Sequence, residues 1–135
     1  MAVLVLTDAT ITINSVALSD HSNSVTLNYE KDSVEVTAFG AGGHSFTGGL
    51  QNNSIEVSLM QDFATSNVEA TIYPLVGTTT TVVIKPTSAA VGVNNPTYTV
   101  TGTFLAAHTP VAGAVGELAM TTLTFTGGTL VKATV

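Results

Sequence analysis

The chain has 135 residues, enough for one domain with a core of its own. Charged residues make up only 9%, against about 25% in ordinary soluble domains. The net charge is −6, and the three basic residues are all lysines. Tight nucleic-acid binding normally depends on arginine and lysine contacts to phosphate, so this acidic, arginine-free composition argues against it. Without cysteine, disulfides, thiolate metal sites and thiol nucleophiles are excluded.

Mean hydropathy is positive, at +0.44, although the chain has no long apolar run. The surface is therefore short of charge, which favours a protein partly covered by other copies in an assembly. The apolar stretch at residues 3–6 is too short for a signal peptide or a membrane span. We expect a protein made in the cytoplasm that stays soluble or assembles there, without a membrane partner.

A strand pair is predicted first. Ala9–Ile13 alternates in polarity, Asn14-Ser15 has turn chemistry, and Val16–Leu18 continues the strand pattern. The polar segment Asp20-His21-Ser22 is predicted to be a solvated turn. Members of a hydrolase triad converge from separated positions, so three neighbours do not form one.

The longest predicted element is a β-hairpin from Ser24 to Met60. Alternation continues past a polar break at residues 31–33 into Val34–Ala38. The apolar face carries Val25, Leu27, Tyr29, Ile55, Val57 and Leu59, and the polar face carries Thr26, Asn28, Glu30, Ser54, Glu56 and Ser58. One face is thus expected to pack on a core and the other to stay polar.

The tip of this hairpin is predicted to be a flexible loop from Gly40 to Gly49. Glycine at this density is not expected in the interior of a strand. Phe46 is the one large apolar side chain in the segment.

One short helix is predicted after the hairpin. Ser66 and Glu69 have the spacing of a capping box. Val68 and Ile72 lie four residues apart, so both would face the sheet. Pro74 is expected to disfavour the helical conformation at the residue before it.

Three further strands are predicted, at Thr78–Lys85, Thr97–Ala107 and Leu118–Thr126. In the second, Tyr98, Val100 and Phe104 are expected on the side opposite Thr97, Thr99, Thr101 and Thr103; in the third, Ala119, Leu123 and Phe125 face inward. After Gly127-Gly128, the tail at 127–135 could add an edge strand or dock on a neighbour. The prediction is a single all-β domain over residues 1–135.

No catalytic, cofactor or metal site is predicted. Neither glycine-rich loop has nucleotide-binding spacing. His21, His44 and His108 stand far apart without a carboxylate at ligand spacing, so each is expected to be a surface imidazole. The carboxylates of Glu30, Asp32 and Glu35 favour a solvated acidic face over acid–base catalysis. The chain is therefore not expected to be an enzyme.

Several segments together form a pattern that resembles a known family. They are Val25-Thr-Leu-Asn-Tyr-Glu30, Gly48-Gly-Leu50, Ile55-Glu-Val-Ser-Leu59, Gln61-Asp-Phe63, Thr71-Ile-Tyr-Pro-Leu-Val-Gly-Thr78, Lys85-Pro-Thr-Ser-Ala-Ala90, Asn95-Pro-Thr-Tyr98 and Gly116-Glu-Leu118. Their order and spacing resemble the major tail tube proteins of long-tailed bacteriophages, particularly those of actinobacterial phages. The resemblance covers nearly the whole chain.

The resemblance implies a two-sheet β-sandwich or barrel with one flanking helix. It also implies a virion protein whose six-copy rings stack into the tail tube, the conduit for DNA delivery. Tape-measure, tail-terminator and distal tail proteins would be its partners. A capsid decoration or minor head protein is the alternative, since such proteins can share these folds. A secreted adhesin is disfavoured because no signal peptide is recognised.

Two sets of site residues follow as expectations. The loop that stacks one ring on the next would comprise Gly40, Gly42, Gly43, His44, Phe46, Gly48 and Gly49. The polar face of the hairpin would line the channel with Glu30, Glu56, Asn28 and Ser58. An acidic wall without arginine offers passing DNA no phosphate clamps.

Overall fold

The structure, a computed structural model, describes residues 3–135 and consists mainly of antiparallel strands. The strands are β1 Thr10–Ile13, β2 Val16–Ala17, β3 Ser22–Asn28, β4 Lys31–Glu35, β5 Phe46–Gln51, β6 Ser54–Met60, β7 Thr78–Lys85, β8 Thr97–Leu105, β9 Met120–Thr126 and β10 Thr129–Ala133. The α-helix α1 spans Val68–Ile72, and 3-10 turns span Ser19–His21 and Tyr73–Leu75. The predicted all-β class with one short helix is confirmed.

Eight strands form the main sheet, in the order β2-β1-β7-β8-β9-β6-β3, with β10 also paired to β8. The two halves of this sheet face each other and bury one hydrophobic core, as in a sandwich. Its main side chains are Ile11, Ile13, Val82, Ile84, Val100 and Leu105 from one half, and Ile55, Val57, Leu59, Leu123 and Phe125 from the other. Strands β4 and β5 pair separately, outside this core.

The two halves of the sheet meet at a corner formed by β8, β9 and β10. The end of β9 pairs with the end of β8, and β10 continues along β8 after Gly127-Gly128. A Cβ at Gly128 would lie 2.7 Å from the carbonyl oxygen of Thr101. Only glycine permits this approach of two backbones, which lets one strand pass from one half to the other. Of the two predictions for the tail, an edge strand or docking on a neighbour, the structure shows the edge strand, β10, paired with β8.

The alternation of β8 reverses at Gly102. This residue has a φ of +73°, and the pairing with β7 shifts there by one residue. After this bulge Thr103 and Leu105 are buried, whereas Phe104 is 40% exposed. The prediction that Phe104 shares a side with Val100, opposite Thr103, is wrong, because one extra residue in a strand moves every later side chain to the other face.

The first hairpin has the predicted turn. Asn14 and Ser15 join β1 to β2 with φ values of 50° and 67°. A two-residue loop with both φ angles positive matches the twist of the strands it connects. Asparagine enters this conformation more readily than most residues, which explains its place in the turn.

Helix α1 packs on the core through Val68 and Ile72, both buried as predicted. The predicted capping box is wrong. The helix begins after Asn67, which makes no side-chain cap, and Ser66 has a φ of 64°. The carboxylate of Glu69 is instead held by a histidine, described below.

The chain does not leave the helical conformation before Pro74, contrary to the prediction. Tyr73 has φ −53° and ψ −46°, and Pro74 lies in the 3-10 turn that continues α1. Proline is tolerated there because the first turn needs no N–H donor from it. In residues 3–135, no helix is both long and apolar enough to cross a membrane.

Candidate assembly site

The predicted hairpin is one long ribbon. Strands β3 and β6 pair in the sandwich, and β4 and β5 extend the ribbon beyond it. The two parts meet at a break where the Asn52 N–H donates to the Glu30 carbonyl oxygen, at 2.7 Å. The outer part, from residue 31 to residue 51, is called the ribbon arm below.

The tip of the ribbon arm is shorter than predicted. Residues 46–49 belong to β5, so the loop lies before Phe46 and joins Val36 to Ser45. The prediction that Phe46, Gly48 and Gly49 lie in the loop is wrong, because all three belong to β5. A Cβ at Gly49 would approach the Val34 side chain at 3.1 Å, so this glycine lets the two strands lie close together.

The ribbon arm is exposed to solvent over most of its length. Every residue from 28 to 48 is exposed, and the Phe39 and Phe46 side chains contribute to this surface. A two-stranded ribbon that buries so little is at best marginally stable in water. An exposed apolar surface of this kind is typical of a contact site for another molecule.

Polar side chains order one face of the tip. The carboxylate of Glu35 accepts hydrogen bonds from the His44 ring, at 2.5 Å, and from the Thr37 hydroxyl, at 2.8 Å. These two bonds, that from His44 first, hold the pKa of Glu35 below its usual value. The Ser45 N–H donates to the Thr37 hydroxyl, and the His44 and Phe46 rings are 6.4 Å apart. The glycines at 40, 42 and 43 lie in the loop beside this network.

The outer face of β3, β6 and β9 is polar except at one end, where Met60 pairs with Met120. Cross-strand pairing aligns three rows on it: Ser24–Ser58–Thr122, Thr26–Glu56–Thr124 and Asn28–Ser54–Thr126. The structure therefore brings Asn28, Glu56 and Ser58 to one face, and Glu30 lies just past its end, 3.4 Å from the Asn28 amide. This surface, called the polar face below, has one carboxylate near its centre and short neutral side chains around it.

All three histidines lie against carboxylates. The prediction that each is a surface imidazole is wrong for His108, whose side chain is 3% exposed. His21 Nδ1 lies 2.8 Å from Asp20, and its Nε2 lies 2.8 Å from Asp62. His44 contacts Glu35, and His108 Nε2 lies 2.7 Å from Glu69. Two of these pairs, His21 with Asp62 and His108 with Glu69, join residues far apart in the sequence, so sequence spacing gave no sign of them. Residues 3–135 contain no group of three side chains placed to hold a metal ion.

His108 occupies the middle of a buried polar chain. Its Nδ1 lies 3.3 Å from the Thr121 hydroxyl, opposite the contact with Glu69. Hydroxyl, imidazole and carboxylate are in the order of a nucleophilic triad. Thr121, however, is 1% exposed, so its hydroxyl is closed to a substrate. The arrangement joins α1 to the loop before β9 and to β9 itself.

An apolar groove of about 410 Å³ opens beside β3. Val25, Leu27 and Tyr29 form one side, and Tyr98 and Leu130 contribute to the other. In the described part of the chain, β3 ends the sheet and pairs only with β6. A strand edge beside an apolar groove is a second surface suited to assembly.

Comparison with solved structures finds the same fold in chains of an extracellular contractile injection system, of an anti-feeding prophage cap and of a gene transfer agent virion. The chain superposes with a TM-score of 0.70 on one from the extended sheath–tube complex of the extracellular contractile injection system PVC, at 13% identity, covering 98% of this chain and 93% of that one. A chain from the tube-terminating cap of the anti-feeding prophage superposes with a TM-score of 0.72 at 15% identity, covering 100% of this chain and 93% of that one. A chain from the virion of a native gene transfer agent gives 0.64 at 13% identity, covering 93% and 95%.

These likenesses define the class of fold. The chain has the β-sandwich found in a sheath–tube complex and in a tube-terminating cap, so the predicted tail-tube fold is confirmed. Neither a family model nor a curated protein matches the sequence. The narrower resemblance to tail tube proteins of long-tailed actinobacterial phages stays a prediction.

Proposed function

We propose that this protein is a structural subunit of a tail tube, in which six copies form a ring and stacked rings form a conduit for DNA. One observation carries the proposal: a chain with this fold exposes an entire ribbon arm that its own sandwich does not cover. The scarcity of charge on the rest of the chain supports the same conclusion, because contacts between copies would cover that surface.

The ribbon arm is proposed as the contact between successive rings. Its tip combines glycines 40, 42 and 43 with the aromatic ring of Phe46, which is 61% exposed in the single chain. Large aromatic side chains that become buried often dominate the affinity of an interface. Docking would also order the glycine-rich loop, whose freedom is costly to restrict.

The polar face is proposed as the wall of the channel. Glu56 in each of six subunits would form a ring of carboxylates, and Asn28, Ser58 and the threonines of β9 would form the neutral surface around it. Such a wall repels phosphate and offers no basic clamp, so DNA would slide without being held. Glu30 would lie at the end of this wall, near the base of the ribbon arm.

The proposed location is the tail of a virion or of a related particle. Tape-measure, terminator and distal tail proteins are the proposed partners at the inside and ends of the tube. The protein would need neither cofactor nor catalysis for this role.

Electron microscopy of the purified protein tests the proposal. Negative-stain images over a series of concentrations should show six-fold rings or tubes with a central channel. Persistent monomers at high concentration, together with tail tubes that lack this protein in isolated particles, would refute it. Trimers that bind a capsid surface would instead favour a capsid decoration protein.

A shortened ribbon arm tests the stacking role. Because the Val36 N–H already bonds to the Ser45 carbonyl oxygen, residues 37–44 can be replaced by an Asn-Gly turn that keeps the two strands paired. The variant should remain folded by circular dichroism but should fail to form tubes. Normal tubes from this variant would exclude a stacking role for the tip.

A further inference from the structure

The direction of the ribbon arm must be set where the arm meets the sandwich. From residue 31 onward, β4 and β5 pair with each other and with no strand of the main sheet. Contacts along the arm cannot fix its angle, because residues 31–48 are exposed. The contacts at its base therefore decide the angle.

Asn53 is the buried polar residue at this base. The residue is 1% exposed, and both polar atoms of its side chain have partners. The amide oxygen accepts from the Glu30 N–H at 3.3 Å, on the β4 side of the arm. The amide nitrogen donates to Gln51 Oε1 at 2.8 Å and to the Gly128 carbonyl oxygen at 3.1 Å.

Gln51 completes the connection from the β5 side. Its Oε1 accepts from Asn53 and also from the Leu130 N–H of β10, at 2.9 Å. The backbone adds a further bond, because the Gly127 N–H donates to the Asn53 carbonyl oxygen at 2.8 Å. Both strands of the arm are thereby tied to the corner where β9 becomes β10.

We propose that Asn53 and Gln51 form a latch that fixes the angle at which the ribbon arm leaves the sandwich. An amide suits position 53 because it donates and accepts at once, whereas a carboxylate only accepts. Burial makes the bonds directional and makes their loss costly. If the proposed function holds, this angle also sets the register between successive rings. That consequence rests on the proposed function, but the latch itself belongs to the single chain.

Distance measurements on the single chain test the latch. The natural chain contains no cysteine, so Thr47→Cys on the arm and Thr79→Cys on β7 provide two unique and exposed spin-label sites. Double electron–electron resonance should give a narrow distance distribution for the parent. In Gln51→Leu, which loses the acceptor for both Asn53 and Leu130, the distribution should broaden on the order of twofold.

Two matched variants separate the latch from general destabilisation. Gln51→Glu keeps an acceptor oxygen and should preserve the narrow distribution. Asn53→Asp keeps the size and the acceptor but loses both donated bonds, so it should broaden the distribution. If Asn53→Asp fails to fold, Gln51→Leu decides.

An unchanged distribution in folded Gln51→Leu would overturn the proposal. The measurement is made below the concentration at which rings would form, so it does not depend on assembly. Absence of tubes from the parent protein would refute the proposed function and leave the latch standing. Normal tubes with an unchanged distribution in Gln51→Leu would refute the latch alone.

Discussion

His21 Nε2 lies 2.8 Å from Asp62 Oδ2, and this contact joins the turn before β3 to the segment that follows β6. Asp62 also accepts from the Ala64 N–H at 2.9 Å and from the Asn67 amide at 2.9 Å. The same carboxylate therefore holds the connection to α1 in place. Its partner His21 carries a second carboxylate contact, with Asp20 on the other ring nitrogen.

These contacts predict a pH dependence of stability. Hydrogen bonds with Asp62, and then with Asp20, raise the pKa of His21. The stability gained is fully present below the pKa of His21 in the unfolded chain, about 6.5. It is lost as the pH rises through the higher pKa of His21 in the folded protein. The pKa of Asp62 is lowered by its hydrogen bond from the Ala64 N–H and then by His21. The stability from this carboxylate is therefore lost only at acid pH, as the pH falls from the pKa of unfolded Asp62, about 3.9, through its lower pKa in the folded protein.

Urea unfolding at pH 5.5 and pH 8.5 measures this effect. The parent should lose more stability over that interval than His21→Gln, which retains a polar side chain without a titrating group. An equal loss in parent and variant would show that the His21 contacts do not contribute.

The buried pair of His108 and Glu69 predicts a second effect on stability. Glu69→Leu leaves the imidazole N–H of His108 without its acceptor, and a buried unpaired donor costs about 1–3 kcal/mol. Glu69→Gln provides an amide oxygen in the same place and should recover most of the loss. The free energies of unfolding of the three proteins test this order, and equal values for Leu and Gln would contradict it.

Two glycines of the corner should differ in their tolerance of alanine. At Gly102 a Cβ has open space, so Gly102→Ala carries only the cost of a positive φ, about 1 kcal/mol or somewhat more. At Gly128 the φ angle is also positive, and an added Cβ would in addition lie 2.7 Å from the Thr101 carbonyl oxygen. Gly128→Ala should therefore be the more destabilising change. Gly102→Asn, which tolerates the left-handed region, should be milder than Gly102→Ala. Thermal unfolding of the three variants measures the order.

Charge reversal on the polar face tests the proposed channel wall. Glu56→Lys would place six ammonium groups in every ring and create contacts with phosphate. DNA ejection from particles carrying this change should slow, while tube assembly continues. Glu117→Lys, on an exposed loop, is the matched control and should leave ejection unchanged. Parental ejection kinetics in Glu56→Lys particles with intact tubes would place this face outside the channel.

The sequence by itself determined the class of fold and much of its local structure. Alternation identified the buried side of β6, where Ile55, Val57 and Leu59 point into the core. Turn chemistry located the bend at Asn14-Ser15, and the spacing of Val68 and Ile72 located the buried side of α1. These features depend on residues within a few positions of each other, so the pattern of neighbours is sufficient to predict them.

Only the tertiary structure decided features that depend on distant parts of the chain. Phe104 faces outward because of a bulge at Gly102, whose place is set by pairing with β7. His21 finds Asp62 41 positions away, and His108 finds Glu69 39 positions away. Asn53 is an unremarkable polar residue in the sequence, yet it bonds to a carbonyl 75 positions later. Periodicity records which face of a strand is apolar, whereas the partner of a polar atom is fixed only when the sheet folds over on itself.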